Sequence, residues 1–126
     1  NKNIVFGADN LFLDNRKFVI VCEGPFDAIS ISGVAIMGKT ANEHQISMIN
    51  SSNKHVIYVP DRDAAGIQMI DIAKKNSWDI CLPTWKFKDC SDAVKHYGRI
   101  PVIQHIISNR ITNEIMLKLK LKNWVK

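Results

Sequence analysis

The stretch His55–Gly66, which reads HVIYVPDRDAAG, is an apolar run followed at once by an Asp-x-Asp pair. A short run rich in β-branched residues, without polar alternation, is typical of a strand buried on both faces of a parallel sheet. Pro60 ends the strand ladder, and Gly66 allows close backbone approach where the next helix begins. Because neighbouring carboxylates repel each other, the stretch predicts either a cation or screening water beside Asp61 and Asp63.

Similar apolar runs lie on both sides of this stretch and alternate with helical patterns. The runs FVIVC, VAIM and WDICL occupy Phe18–Cys22, Val34–Met37 and Trp78–Leu82. Apolar residues at helical spacing occupy Pro25–Ile31, Asn42–Ile49 and Ala64–Lys75. This alternation predicts a doubly wound α/β fold with about four mainly parallel strands flanked by helices.

The two ends of the chain carry weaker patterns. Before Lys17 we expect a short strand at IVF and a turn or helix around Ala8–Asp14. After Pro101 isoleucines recur every fourth residue, which predicts a helical stripe divided at Thr112 and Asn113; they are Ile103, Ile107, Ile111 and Ile115. The alternating LKLKLK that follows fits a strand or a basic helix, and we favour a helix. We expect residues 1–100 to form one domain, and residues 101–126 a helical extension of the same compact unit.

Length and composition restrict the function classes. The 126 residues suffice for one core, and the apolar fraction of 46% is typical of a globular protein. No apolar run reaches the roughly 18 residues of a membrane helix, and the chain opens without a signal-peptide pattern. Three cysteines without CxxC spacing indicate buried, inert thiols in a reducing, cytoplasmic setting, and no zinc site.

The positive charge is concentrated near the end of the chain. Residues 1–100 carry 12 Lys and Arg against 11 Asp and Glu, whereas residues 101–126 carry 5 against 1. The basic extension therefore suits a polyanionic partner, but it equally suits a solvated helix face.

Acids follow three of the predicted strands at their carboxyl ends. Glu23 follows FVIVC, Asp61 and Asp63 follow HVIYV, and Asp89 and Asp92 follow the fourth run. Ligands of open α/β sheets bind at this edge, and residues i and i+2 of an extended segment project to one side. Converging carboxylates favour Mg²⁺, which also bridges to substrate phosphates. The spacing alone also fits a polar turn in which Asp63 caps the next helix.

Three motifs together resemble the Toprim domain, the metal-binding module of bacterial-type primases, topoisomerases and some nucleases. They are VIVCEGPFDAISI, VAIMGKTA and YVPDRDAAG, and the resemblance covers about Phe18 to Gly98. EGPFDA, with Asp27 four residues after Glu23, and KDCSDAVKHYG resemble primases, particularly those of bacteriophages. The resemblance implies a Rossmann-like Toprim fold.

The resemblance also implies roles for individual residues. Glu23, Asp61 and Asp63 would be catalytic and, with Asp89, would hold Mg²⁺ or Mn²⁺. Asp27 and Asp92 would be secondary acids of the same pocket, unless Asp27 only stabilises its helix and Asp92 only caps one. Four cations are expected near phosphate or nucleic acid: Lys39, Arg62, Lys86 and Lys88. We expect Trp85 to stack on bases and Trp78 to lie in the core.

The implied function is that of a DNA primase, which joins NTPs into an RNA primer on single-stranded DNA, with a replicative helicase as a candidate partner. Two alternatives stay open: a Toprim nuclease of the overcoming-lysogenisation or ribosomal-RNA-maturation type, and a non-catalytic docking domain for nucleic acid or a helicase. A receiver domain is disfavoured because it needs its acid pair after the first strand. The sequence contains neither the zinc module nor the basic subdomain of full primases, so primer synthesis by this chain alone stays open.

Overall fold

Strands and helices alternate along the chain, as the apolar runs predict. A computed structural model describes residues 3–62 and 65–124, without the side chains of residues 65 and 66. A 3-10 helix at Ala8–Phe12 comes first. The strands are β1 (Phe18–Cys22), β2 (Val34–Ala35), β3 (His55–Tyr58) and β4 (Asp79–Ile80). The helices are α1 (Pro25–Ile31), α2 (Glu43–Asn50), α3 (Ala65–Lys75), α4 (Cys90–Tyr97), α5 (Arg99–Ser108) and α6 (Glu114–Trp124).

The sheet has the strand order β2-β1-β3-β4, and every pair is parallel. This confirms the predicted α/β fold. β2 and β4 are shorter than their apolar runs, yet the backbone stays hydrogen-bonded beyond them. The N–H of Ile36 donates to the carbonyl oxygen of Cys22 at 3.1 Å, and that of Cys81 donates to Tyr58 at 3.0 Å.

Helices cover both faces of the sheet. Val19 and Val21 of β1 pack on one face against apolar residues of α2 and α3, whereas Ile20 and Cys22 pack on the other face with α1, α4 and α5. This alternation follows from the two-residue period of a strand. Burial of both faces of the sheet explains why the apolar runs show no alternation with polar residues.

Gly33 lies where the chain entering β2 passes against β1. A Cβ atom at Gly33 would lie 2.4 Å from the carbonyl oxygen of Ile20, which is a backbone atom and cannot swing aside. We expect Gly33→Ala to lower the free energy of unfolding by about 1–3 kcal/mol, the usual cost of overpacking. Thermal unfolding followed by circular dichroism checks this. Gly38→Ala is the matched control, since the nearest atom there is 4.0 Å away, and equal melting temperatures for the two variants would contradict the prediction.

The chain after α4 is helical, with one interruption. The helical prediction for LKLKLK is confirmed by α6, and the predicted division falls between α5 and α6. The placement of Ile111 on a helical stripe is wrong. Ile111 forms an antiparallel bridge with Ile80, in which the two residues exchange backbone hydrogen bonds of 2.7 and 3.3 Å. The helix restarts afterwards because the Asn113 side chain accepts from the N–H groups of Ile115 and Met116.

At the other end, the strand predicted at IVF is reduced to a single antiparallel bridge between Phe6 and Ala35. The prediction of a turn or helix around Ala8–Asp14 is confirmed by the 3-10 helix. In the described part of the chain, no helix combines the length and the apolar character needed to cross a membrane.

Buried aromatic and sulfur groups confirm two predictions and correct one. Cys22, Cys81 and Cys90 are free and buried, and Trp78 is in the core. The prediction that Trp85 stacks on bases is wrong, because its side chain is only 8% exposed and its ring packs 5.1 Å from the ring of His105.

Candidate active site

Glu23 and Asp61 lie at the carboxyl edge of the sheet, after the two central strands. β1 and β3 pair so that Val21 lies beside Tyr58. Glu23, two residues after Val21, therefore projects to the same face as Tyr58. Glu23 and Asp61 are both half-buried, so their carboxylates can be reached from solvent. Each residue follows closely after a strand, which restricts its backbone.

Tyr58 bonds to one of these acids and is affected by the charge of the other. Its hydroxyl donates a hydrogen bond of 3.1 Å to Oε1 of Glu23. Burial raises the pKa of the Tyr58 phenol, and the negative charges of Glu23 and then Asp61 raise it further. Tyr58 therefore stays protonated and acts as a donor that orients the Glu23 carboxylate. Both carboxylates are therefore close enough to the Tyr58 hydroxyl to act on its pKa.

Two buried thiols, Cys22 and Cys90, lie on the face of the sheet that packs against α1, α4 and α5. The neighbouring Cys90 thiol raises the pKa of Cys22, and burial and the charges of Asp27 and Asp61 act in the same direction. Cys22 therefore stays a neutral thiol. It is part of the apolar core on the side of α1, α4 and α5, and a neutral buried thiol is not a nucleophile.

Asp27 is almost fully buried, with 7% of its surface exposed, and it joins two helices. Its Oδ1 accepts a hydrogen bond of 2.8 Å from the backbone N–H of Ser91, in the first turn of α4. Burial raises the pKa of Asp27, the Ser91 hydrogen bond opposes this shift, and the charges of Asp89 and Asp92 reinforce it. Asp27 thus stabilises the neighbouring helix α4. The sequence predicts only that Asp27 belongs to the acidic pocket or stabilises its own helix, α1, and does not predict this contact.

Asp89 and Asp92 lie at the amino end of α4. The Asp89 side chain accepts from the backbone N–H of Asp92 at 2.9 Å and is the N-cap of the helix. The expectation that Asp92 is the N-cap is therefore wrong. An Asp92 cap would require α4 to begin at Ala93, whereas α4 begins at Cys90, three residues earlier. Asp27 bonds to the first turn of the same helix, so all three acids lie at the amino end of α4.

The four predicted phosphate contacts divide into two kinds. Lys39, Lys86 and Lys88 are exposed on loops that follow β2 and β4 at the carboxyl edge. The N–H of Met37, two residues before Lys39, donates to the carbonyl oxygen of Glu23 at 2.9 Å, which brings that loop beside the acids. Arg62 instead uses its guanidinium on backbone carbonyl oxygens of the chain.

The donor set fits a hard divalent cation in chemistry, because carboxylate oxygens are the ligands that Mg²⁺ and Mn²⁺ prefer. Glu23 and Asp61 supply such oxygens at one edge of the sheet. Asp63, the third predicted ligand, lies outside the described residues. Among the residues that are described, no three His, Cys, Asp or Glu side chains are grouped closely enough to hold a metal ion. The assignment of Asp89 as a ligand stays a prediction.

Sequence reasoning missed the role of Tyr58, which it treated only as part of a strand. A signal was present, since a tyrosine in a strand buried on both faces needs a partner for its hydroxyl. Identifying Glu23 as that partner requires the register between β1 and β3, which the sequence alone does not give.

Solved structures share this architecture. The chain superposes on the crystal structure of the Aquifex aeolicus primase zinc-binding and RNA polymerase domains with a TM-score of 0.72 and 20% identity, covering 98% of this chain and 34% of that one. It superposes on the DnaG primase catalytic domain bound to ssDNA with a TM-score of 0.73 and 15% identity, covering 97% and 44%. These likenesses establish the fold.

The sequence also matches known proteins directly. A DNA primase from Campylobacter jejuni is 34% identical over an alignment of 77 residues, and the match covers 54% of this chain and 13% of that protein. The chain thus spans a small part of the length of this relative and less than half of the solved chains. The family model described as Toprim-like matches residues 20–94, more than half of the chain. The chain therefore belongs to the Toprim-like family.

Proposed function

We propose that this chain is the metal-binding catalytic part of a DNA primase that makes RNA primers from NTPs on single-stranded DNA. The observation that carries the proposal is the position of Glu23 and Asp61, which directly follow the two central, adjacent parallel strands; Tyr58 of the second of these strands bonds to Glu23. The similarity to a DNA primase supports the reaction class. A cytoplasmic location, a bacteriophage origin and a helicase partner belong to the same proposal.

Each part of the site has a task in this reaction. A bound Mg²⁺ or Mn²⁺ would lower the pKa of a 3′-hydroxyl and neutralise charge on the leaving pyrophosphate. Glu23, Asp61 and Asp63 would hold the ion, and Tyr58 would keep the Glu23 carboxylate in one orientation. The exposed Lys39, Lys86 and Lys88 would attract the phosphates of nucleotide and template.

Metal binding and product chemistry test separate parts of the proposal. Titration with Mn²⁺ is expected to raise the melting temperature of the chain, since a ligand that binds only the folded state stabilises it. An unchanged melting temperature across the titration would contradict the metal site.

The reaction is tested by incubating the chain with labelled NTPs and single-stranded DNA. Extended, labelled products are expected for a primase. A Toprim nuclease would instead shorten the DNA strand without any extension, and that result would overturn the primase assignment while leaving the metal site in place.

Tyr58→Phe tests the role of the phenol. The change keeps the buried ring and removes the donor to Glu23, so we expect Mn²⁺ affinity to fall by about 10- to 100-fold, the scale for groups that orient metal ligands. Isothermal titration measures the affinity. Tyr97→Phe is the control, because Tyr97 is 51% exposed and lies at the far end of α4. An affinity for Tyr58→Phe equal to that of the control would show that the phenol does not orient a ligand.

A further inference from the structure

Arg62 lies between the two aspartates of the Asp-x-Asp pair, and its side chain reaches to other parts of the fold. Nη2 donates to the carbonyl oxygens of Pro83 at 2.8 Å and Trp85 at 3.0 Å. Nη1 donates to the carbonyl oxygen of Trp124 at 3.4 Å. The guanidinium carbon also lies 5.1 Å from the centre of the Trp124 ring. One side chain therefore connects the acid loop with the segment after β4 and the end of α6.

Trp124 is itself anchored on the same segment. Its indole is only 8% exposed, and Nε1 donates to the carbonyl oxygen of Pro83 at 2.9 Å. That oxygen therefore accepts from both Arg62 and Trp124. The backbone N–H of Arg62 donates to the carbonyl oxygen of Lys88 at 3.4 Å, which adds a second connection between the acid loop and this segment.

We propose that Arg62 is a positioning residue, which fixes the loop carrying Asp61 by tying it to the anchored end of α6. The proposal rests on the metal site proposed above. Mg²⁺ accepts little deviation from octahedral geometry, so its ligands need rigid support. A guanidinium can donate to several carbonyl oxygens in its plane while stacking on an aromatic ring, whereas an ammonium group cannot do both. The basic C-terminal helix is then part of the site's support, in addition to any contact with nucleic acid.

Arg62→Lys separates positioning from charge, because lysine keeps the positive charge and loses the planar donors. We expect Mn²⁺ affinity to fall by about 10- to 100-fold, as for other residues that support metal ligands. We also expect faster amide hydrogen exchange at Asp61 and Arg62 without metal, at a temperature where circular dichroism shows the chain folded. Trp124→Phe, which removes the Nε1 donor and keeps a ring, is expected to cause a smaller change of both kinds.

Arg110→Lys is the matched control. Arg110 also stacks on a ring, 4.9 Å from the centre of Phe18, and donates to the carbonyl oxygen of Ile107 at 2.6 Å, but it lies by the start of β1 at the opposite edge of the sheet. The inference would be overturned if the amide exchange rate at Asp61 is the same in Arg62→Lys as in the unsubstituted chain. It would also be overturned if Arg110→Lys increases that rate as much as Arg62→Lys does. So would unchanged Mn²⁺ affinity in Arg62→Lys. Failure of the unsubstituted chain to bind Mn²⁺, with the exchange difference present, would overturn the proposed function and support the loop anchor.

Discussion

Substituting Asp61 by Asn is expected to abolish the rise in melting temperature that Mn²⁺ gives the unsubstituted chain. The amide keeps the size of the side chain and one acceptor oxygen but lacks the negative charge that binds a divalent ion. We expect Mn²⁺ affinity to fall by at least about 100-fold, beyond the effect of residues that only orient ligands. Glu23→Gln is expected to act in the same way. Isothermal titration and melting temperature with and without Mn²⁺ measure both variants.

In EDTA the same variants are expected to be as stable as the unsubstituted chain or slightly more stable. Glu23 and Asp61 both act on Tyr58, so removing one charge relieves repulsion between like-charged neighbours. Asp14→Asn, an exposed aspartate before β1, is the control and should retain the full Mn²⁺ effect. Marked destabilisation of Asp61→Asn or Glu23→Gln in EDTA would show that these carboxylates are structural and would remove the basis of the proposed function.

Asp27→Ala is expected to lower the free energy of unfolding by about 1 kcal/mol, the cost of removing the partner of a partly buried donor. The donor is the backbone N–H of Ser91, which donates a hydrogen bond of 2.8 Å to Oδ1 of Asp27. Loss of this contact would loosen the first turn of α4 and with it Asp89. Urea unfolding followed by circular dichroism in EDTA measures the effect.

Asp27→Asn is expected to have the opposite sign at neutral pH. The amide oxygen can still accept from Ser91, and the buried negative charge is gone. Because burial raises the pKa of Asp27 above its ordinary value of 3.8, the folded state binds this proton more tightly than the unfolded state. Deprotonation of Asp27 therefore lowers the free energy of unfolding as the pH rises above 3.8.

The difference in the free energy of unfolding between Asp27→Asn and the unsubstituted chain should thus be largest near neutral pH. It should disappear below the ordinary carboxyl pKa, where Asp27 is protonated in both states. Unfolding in urea at a series of pH values checks the trend. A stability difference that stays constant over the whole pH range would show that the charge of Asp27 is not the cause.

The fold was predictable because its signals are local. A buried parallel strand needs only a short apolar run, and FVIVC and HVIYV both became central strands of the sheet. The bounds of α1 follow from Pro25 at its first position, and α2 begins after Asn42, whose side chain forms a capping box with Gln45. These features depend on neighbouring residues in the chain, so periodicity and composition suffice to find them.

The partners of the site residues were less predictable because they are distant in sequence. Asp27 and Ser91 are 64 residues apart, and Tyr58 and Glu23 are 35 apart. Such contacts depend on strand register and on how helices pack, which local pattern does not specify. Ile111 shows the same limit: its helical spacing was real, but two backbone hydrogen bonds with Ile80 determined its conformation.

The two antiparallel bridges at the sides of the sheet affect how other molecules can approach. Phe6 bonds to Ala35 of the outer strand β2, and Ile111 bonds to Ile80 of the outer strand β4. Exposed outer strands invite a foreign chain to extend the sheet, and covering them blocks this route. At these two positions the outer strands are already paired, so a foreign strand cannot add there and strand-to-strand aggregation through them is suppressed.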